Sequence, residues 1–338
     1  MQRICILSLW VCSCLMIGFG VPSARAEIHE LRISMGFGMH YLPLYIVEHE
    51  RLIEKHAAAA GLGEVKVNWS VIDGGNVIND AMLAGALDVA SIGVPGFLNL
   101  WDKARGNSRI EIVGLSAVGA GSLYLNTRNP KVKNLADFTE SDRIAVPGIK
   151  TSFAAVVLQM AAAQAFGIEN YAKLDPLTVS LPHPEALAAM LSGKTEIDSH
   201  FTSPPFSFIE LDHPEIHRVI NTADLFGNLT IILAYTTQAF YTANPILAKA
   251  IIDAIDEADT FIARDKRAAA EIYRDLAKVK PPEEELLRVL NDQDLRYSTV
   301  PNGAMKYADF MSRAGTLRGR PQSWRDLFVP LIHGLPGS

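Results

Sequence analysis

Residues 81–90 read AMLAGALDVA and residues 189–198 read AMLSGKTEID, so one helix-glycine-strand pattern occurs twice in the chain. In each copy the glycine, Gly85 or Gly193, follows an apolar helix at the place where a left-handed C-cap is needed. Only glycine adopts that conformation without a Cβ penalty. Asp88 and Asp198 follow at the starts of short strands, where we expect them to make turn and strand-start hydrogen bonds. The repeat predicts two lobes built on one plan.

Strand and helix patterns alternate around both copies. Apolar alternation predicts strands at 31–37, 65–72, 87–92, 143–146, 177–181, 197–201 and 231–235. Helical spacing predicts helices at 41–60, 76–84, 95–104, 151–166, 185–191 and 204–211. A helix-rich tail follows, in which Asn244-Pro245 and Pro281-Pro282 begin helices that should pack on the first lobe. The fold class is therefore α/β, with mostly parallel sheets flanked by helices.

The N-terminus has the three-part layout of a secretory signal. Met1-Gln2-Arg3 is followed by an apolar run to Gly20 and by Ala24-Arg25-Ala26. This pattern predicts export with cleavage after Ala26; an uncleaved membrane anchor is the alternative. All three cysteines, Cys5, Cys12 and Cys14, lie in this segment. The mature chain then has no disulfide, and its stability must come from an ordinary hydrophobic core.

Composition and motifs exclude several function classes. The formal net charge is -6 and no basic stripe is visible, which argues against a nucleic-acid partner. The histidines form no i, i+4 pair with an intervening glutamate, so no metal site is expected. No nucleophile elbow, phosphate loop or dinucleotide fingerprint occurs. We therefore expect no catalytic residue and no cofactor.

Four segments together resemble a known family. They are residues 36–47, with Leu42-Pro43-Leu44-Tyr45; residues 82–90; Asn134-Leu135-Ala136-Asp137-Phe138 with Arg143-Ile144-Ala145-Val146; and residues 240–245, which read FYTANP. Because these four segments occur in the family's order, the chain resembles the periplasmic solute-binding proteins of the nitrate, sulfonate and taurine importers. This NMT1-like group also includes binders of pyrimidine precursors. In the third segment, residues 139–142 read TESD where the family pattern has Lys-Gly-Lys.

The resemblance implies a two-lobed, type II Venus flytrap that closes on its ligand by a hinge. It implies lobe 1 at 27–118 and 229–338, lobe 2 at 119–228, and crossings near 117–121 and 227–230. The expected protein is a periplasmic, monomeric receptor of an ABC importer, with a permease and its ATPase as membrane partners. A secreted enzyme or a sensor module on the same fold is the alternative. The related fungal pyrimidine synthase has a cysteine-rich motif that this chain lacks after residue 26.

The ligand site should lie beyond the carboxyl ends of the parallel strands, where open α/β sheets bind ligands. This rule selects the following residues: Gly38, His40, Tyr41, Ser91, Gly93, Lys150, Thr151, Ser152, Phe153, His200 and Thr202. Lys150, Thr151 and Ser152 offer a cation, hydroxyls and a helix N-terminus, which together suit an anion. Helix capping alone would also explain Thr151 or Ser152.

Aromatic residues lie in or beside the same loops, although each could equally belong to the core: Phe37, Tyr41, Phe97, Phe153, Phe201 and Phe206. Rings in a pocket would suit a ligand with an organic body. The sequence therefore favours an organic sulfonate or carboxylate over bare nitrate, with a neutral or cationic heterocycle as the alternative. His183, between Pro182 and Pro184, is interpreted as a loop histidine without a role.

Overall fold

The computed structural model describes residues 27–338. The predicted signal, its cleavage site after Ala26 and the three cysteines lie outside the described residues. None of the helices within residues 27–338 combines the length and apolar character needed to cross a bilayer.

The described residues form strands β1 (Glu30–Met35), β2 (Lys66–Val71), β3 (Val89–Gly93), β4 (Ile112–Gly121), β5 (Tyr124–Thr127), β6 (Ile144–Val146), β7 (Thr178–Ser180), β8 (Ser199–Thr202), β9 (His217–Asn221), β10 (Leu229–Thr237) and β11 (Arg296–Tyr297). Their α-helices are α1 (Leu42–Glu50), α2 (Leu52–Ala59), α3 (Gly75–Leu83), α4 (Val94–Ala104), α5 (Phe153–Phe166), α6 (His183–Ser192), α7 (Phe206–Leu211), α8 (Thr222–Phe226), α9 (Gln238–Ala243), α10 (Pro245–Arg264), α11 (Lys266–Leu276), α12 (Glu283–Leu290) and α13 (Ala304–Arg313).

The strands form two mixed sheets, which we call the cores of the first and second lobes. The first sheet has the order β11-β4-β10-β3-β1-β2, and the second has the order β7-β6-β8-β5-β9. In the first sheet β10 and β11 run against the other four strands, and in the second sheet β5 runs against the other four. The predicted two-lobed α/β fold with predominantly parallel strand direction is confirmed.

The chain passes from one sheet to the other on β4 and returns on β10. β4 ends at Gly121 in the first sheet, and β5 begins three residues later in the second. The return occurs between the end of β9 and the start of β10, which pairs antiparallel with β4 from Leu229 to Thr237. These paired strands carry the main connection between the lobes.

The predicted helix over 41–60 is instead two helices. Arg51 adopts the left-handed conformation, with φ 54° and ψ 45°, and separates α1 from α2. Non-glycine residues rarely adopt this conformation, and periodicity of apolar residues carries no signal for it. Pro43 lies in the first turn of α1, as predicted.

The repeated glycines act as the pattern predicts. Gly193 is the left-handed C-cap of α6, and Gly85 follows α3 with φ +69°. The Asp88 carboxylate accepts two hydrogen bonds from the side chain of Arg32 and one from its backbone N–H, whereas Asp198 accepts from Ser199 and from the Arg143 N–H. Both aspartates therefore have the structural role expected of them.

The tail helices pack on the first lobe, as predicted. Helix α10 contacts α1, α2 and β4. Its buried residues recur every three or four positions and form an apolar stripe: Leu247, Ala248, Ala250, Ile251, Ala254, Ile255, Ala258 and Ile262. These contacts attach the helical tail to the first lobe.

Candidate functional site

A cavity lies between the two sheets and is bounded by both lobes. The space between the lobes amounts to about 550 Å³ when the open solvent at its mouth is counted. The first lobe contributes Phe37, His40, Tyr41, Asp73, Gly74, Gly75, Ile78, Ile92, Gly93, Ile231 and Ile232. The second lobe contributes Leu123, Pro147, Ser152, Phe153, Ala154, His183 and Ser203. A molecule held here contacts both lobes at once.

Most polar lining residues lie just after the carboxyl ends of parallel strands. His40 follows β1, Asp73 follows β2, Ser152 follows β6, His183 follows β7 and Ser203 follows β8. The helices that begin beside them, including α3, α5 and α6, direct their N-terminal ends toward the cavity. This arrangement agrees with the topological rule for ligand crevices in α/β sheets.

The cavity brings together part of the predicted ligand-binding set: His40, Tyr41, Gly93, Ser152 and Phe153. It does not include the other predicted residues: Gly38, Ser91, Lys150, Thr151, His200 and Thr202. Phe37 also lines the cavity, whereas Phe97, Phe201 and Phe206 are buried in the core. Three of the six aromatic candidates therefore lie at the site.

Lys150 and Thr151 lie beside the cavity without lining it. Lys150 has a positive φ of 64° and an exposed side chain, and the Thr151 hydroxyl donates to the Ile149 carbonyl at 3.3 Å. The Ser152 hydroxyl lines the cavity and also accepts from the Ala155 N–H at 3.2 Å. Of the three residues, only Ser152 joins helix capping to the cavity wall.

His40 lies on a 3-10 turn, Met39–Tyr41, and is wedged between the cavity and β4. Its side chain is buried, and neither ring nitrogen has a hydrogen-bond partner among the described residues. Burial lowers the pKa of His40 to about 3. The imidazole is therefore neutral at physiological pH and has one unused donor and one unused acceptor.

Two titratable lining residues, Asp73 and His183, were missed by the sequence analysis. Asp73 follows β2, and its carboxylate accepts from the Gly74 N–H at 3.0 Å and from the His183 N–H of the opposite lobe at 3.3 Å. His183 was interpreted as a loop histidine, but it is the first residue of α6 and is buried against the cavity. Both follow parallel strands, so the carboxyl-end rule would have found them if it had been applied to β2 and β7 as well.

The hydrophobic lining residues Leu123, Ile231 and Ile232 lie in or beside the crossing strands. An apolar residue in such a segment has the same sequence pattern as a core residue. No signal in the sequence distinguishes the two positions.

Direct contacts close the cleft around the cavity. The Met39 N–H donates to the Pro204 carbonyl at 2.7 Å, and the Asn221 amide donates to the Asp294 carboxylate at 3.0 Å. Arg288 forms an exposed ion pair with Asp212 at 2.9 Å. These links join backbone and side chains of different lobes, so the described conformation is a closed one.

No group of three or more metal-ligating side chains in residues 27–338 is arranged to hold a metal ion. Among the titratable lining residues, His40, Tyr41 and Asp73 belong to the first lobe and His183 to the second. None of the residues lining the cavity is a lysine or an arginine.

Comparisons with known proteins agree on the family and the fold. Residues 24–277 match the model of the NMT1-like family. The alkanesulfonate-binding protein SsuA of Xanthomonas axonopodis pv. citri, bound to MOPS, is 19% identical over 87% of this chain and 96% of that one, with a TM-score of 0.68. The nitrate-binding protein NrtA of Synechocystis PCC 6803 is 16% identical over 87% and 83%, with a TM-score of 0.68. The aliphatic sulphonate-binding SsuA of Escherichia coli is 17% identical over 90% and 93%, with a TM-score of 0.64. None of the curated proteins matches the chain.

Proposed function

The chain belongs to the NMT1-like family, and on this premise we propose that it is the solute-binding receptor of an ABC importer. It captures a small organic solute between its lobes and delivers it to a membrane permease with an associated ATPase. One observation carries the proposal: the cavity is lined by both lobes, so a ligand stabilises the closed state by contacts that the open state cannot make.

The same proposal includes export and domain limits. The N-terminal signal is cleaved after Ala26, and the mature protein acts as a monomer in the periplasm. The lobes extend over 27–118 with 229–338, and over 119–228. Family membership, and the periplasmic location of the SsuA of Escherichia coli and the NrtA of Synechocystis, support the export part of this proposal.

Two classes of ligand, which differ in charge, are candidates for this cavity. A sulfonate- or carboxylate-like anion is supported by the helix N-termini at the cavity, where free N–H groups and the helix dipole favour negative charge. A neutral or cationic heterocycle is supported by the lining, which contains the Asp73 carboxylate and neither lysine nor arginine. The aromatic rings of Phe37, Tyr41 and Phe153 suit an organic body in either case.

The proposal is tested by a thermal-shift panel. The full chain is expressed with its signal so that export can occur, and the exported protein is purified for the panel. The panel contains sulfonates, taurine, nitrate, aliphatic and aromatic carboxylates and pyrimidines, with calorimetry on each hit. A saturable increase in Tm without chemical change of the compound supports a receptor, because a ligand that binds only the folded state stabilises it by mass action. Turnover of a bound compound would contradict the proposal.

A further inference from the structure

A second, smaller space, which we call the side chamber, adjoins the cavity beside the strands that connect the lobes. It amounts to about 190 Å³ when open solvent is counted. Both lobes bound it, because Val157 and Phe226 belong to the second lobe whereas Leu229 and Tyr307 belong to the first. None of the described residues that line it carries a charge.

Phe153 lies at the boundary between the cavity and the side chamber. Of the described residues that line these two spaces, Phe153 alone lines both. Its Cβ lies against Gly93 of the first lobe, where an added Cβ would approach it to 2.6 Å. Its ring packs edge-to-face on the ring of Tyr307, with 5.6 Å between the centroids and 67° between the planes. Both contacts join the second lobe to the first, so they hold the ring in place when the lobes are closed.

Another part of this boundary is main chain. Gly121 and Leu229 pair where β4 ends and β10 begins, and both line the side chamber. Leu123, two residues after Gly121, lines the cavity instead. Its N–H donates to the hydroxyl of Thr222, a side-chamber residue, at 2.8 Å. Because hydrogen-bonded main chain stays in place when a side chain is changed, the Phe153 ring is the part of the boundary that a substitution can open.

The lining of the side chamber suits an apolar part of a ligand. Val157, Phe226 and Leu229 present aliphatic or aromatic side chains to it. Each methylene group that leaves water for such a lining improves affinity by about fourfold. A ligand in the cavity gains nothing from this lining while the Phe153 ring occupies the boundary. A longer ligand would have to displace the ring, which the packed contacts with Gly93 and Tyr307 oppose.

On the premise of the proposed receptor function, we infer that Phe153 determines specificity by size. Its ring ends the space available to the body of the ligand, so the receptor is restricted to solutes too short to reach the side chamber. A smaller residue at position 153 joins the two spaces, and a longer apolar body can then extend from the cavity into the side chamber. The inference concerns the body of the ligand and holds for either charge of its head group.

The inference is tested with two homologous series, linear alkanesulfonates from ethane- to octanesulfonate and linear alkylamines from ethylamine to octylamine. Each compound is titrated calorimetrically into the purified wild-type protein and into Phe153→Ala. In the series that binds, wild-type affinity should stop rising after the short members. Affinity for Phe153→Ala should continue to rise and should exceed that of the wild type by at least about tenfold for the longest members. An identical dependence on chain length in the two proteins would overturn the inference.

A double variant tests whether the gain comes from the side chamber. Val157 is buried and lines the side chamber but not the cavity. Phe153→Ala combined with Val157→Phe refills the chamber, so the gain for long members should disappear. A gain that persists in the double variant would overturn the inference.

Phe166→Ala is the matched control, because it removes the same ring at the other end of α5, where the residue lines neither space. It should keep the length dependence of the wild type. A gain as large as that of Phe153→Ala would overturn the assignment to Phe153. Phe153→Leu is a milder truncation that should act in the same direction, and it provides the test if Phe153→Ala fails to fold.

Failure of the inference is distinct from failure of the receptor proposal. Saturable binding with a length dependence that Phe153→Ala does not change would overturn the size limit and leave a receptor. If neither series binds to the wild type or to Phe153→Ala, the size limit is overturned, while the thermal-shift panel decides the receptor proposal. Chemical conversion of a bound compound would overturn the receptor proposal itself.

Discussion

Gly119 of β4 lies so close to His40 that any side chain at position 119 would displace the histidine. A Cβ at Gly119 would overlap the His40 carbonyl oxygen and would lie 3.0 Å from its carbonyl carbon and 3.1 Å from its Cα. Gly121 has a similar position, because a Cβ there would lie 2.9 Å from His40 Nε2. Two glycines of the predicted crossing at 117–121 therefore also leave the space that His40 occupies beside the cavity.

Gly119→Ala should lower the free energy of unfolding by about 1–3 kcal/mol, because the clash is with backbone atoms that cannot rotate away. Ligand affinity should fall as well, since His40 must move. Urea denaturation and calorimetry measure the two effects. The control is Gly334→Ala, because a Cβ at Gly334 meets no atom within 4 Å. Equal stability of the two variants would contradict the prediction.

Gly93→Ala should hinder lobe closure more than folding. A Cβ at Gly93, in the first lobe, would lie 2.6 Å from the Cβ of Phe153 in the second lobe. The clash exists only when the lobes are closed, so each lobe should fold normally while ligand affinity decreases about tenfold or more. Small-angle scattering with and without ligand should show a smaller contraction than in the wild type. Unchanged affinity would show that closure does not require this contact.

Ser152→Ala should destabilise the second lobe by about 0.5–2 kcal/mol, because the N-cap of α5 loses its side-chain hydrogen bond. Thr151→Ala is the matched control, since the Thr151 hydroxyl reaches only the nearby Ile149 carbonyl. Denaturation curves should separate the two variants. If the Ser152 hydroxyl also contacts the ligand, calorimetry on Ser152→Ala will show an additional affinity loss equivalent to about 1–3 kcal/mol.

Asp259 on α10 should make stability depend on pH. Its oxygens are buried with no hydrogen-bond partner among the described residues, and burial together with Asp256 raises its pKa to about 8. The unfolded carboxyl ionises near pH 4. Between about pH 4 and 8 the folded state therefore retains a proton that the unfolded state releases, and stability falls as pH rises through this window.

Asp259→Asn should remove this dependence. The variant should have a Tm higher than that of the wild type by about 2 °C or more at pH 8, and the difference should shrink toward pH 4. Scanning calorimetry at several pH values measures the effect, with the surface variant Asp253→Asn as the control. A constant difference across the pH range would indicate that Asp259 ionises normally in the folded protein.

Local sequence signals predicted most of the fold. Gly85 and Gly193 ended helices where the repeat placed them, and the apolar runs around them gave strands in both lobes. Periodicity reports which faces are buried, so it predicts element type well. It carries no information on single backbone conformations, which is why the left-handed Arg51 and Lys150 were missed.

The candidate site was predicted in part for the same reason. The carboxyl-end rule located His40, Gly93 and Ser152 because it depends only on strand order. It could not exclude Lys150, because strand order does not reveal that this residue has a positive φ and an exposed side chain beside the cavity. It also missed His183, whose contacts with His200 and, through it, Glu210 depend on how α6, β8 and α7 pack together, which apolar periodicity does not report.

All cysteines lie in the first 26 residues, and this gives the processed protein a practical property. With cleavage after Ala26, a thiol introduced at any position is the sole site for maleimide dyes. Val77 on α3 and Ile149 after β6 are exposed, at 58% and 40%, and belong to opposite lobes. Their backbones are close across the cleft, since a Cβ at Gly148 would lie 3.9 Å from the Gly75 nitrogen. A Val77→Cys, Ile149→Cys pair labelled with pyrene maleimide can therefore report lobe closure through excimer emission, which requires the two dyes to touch.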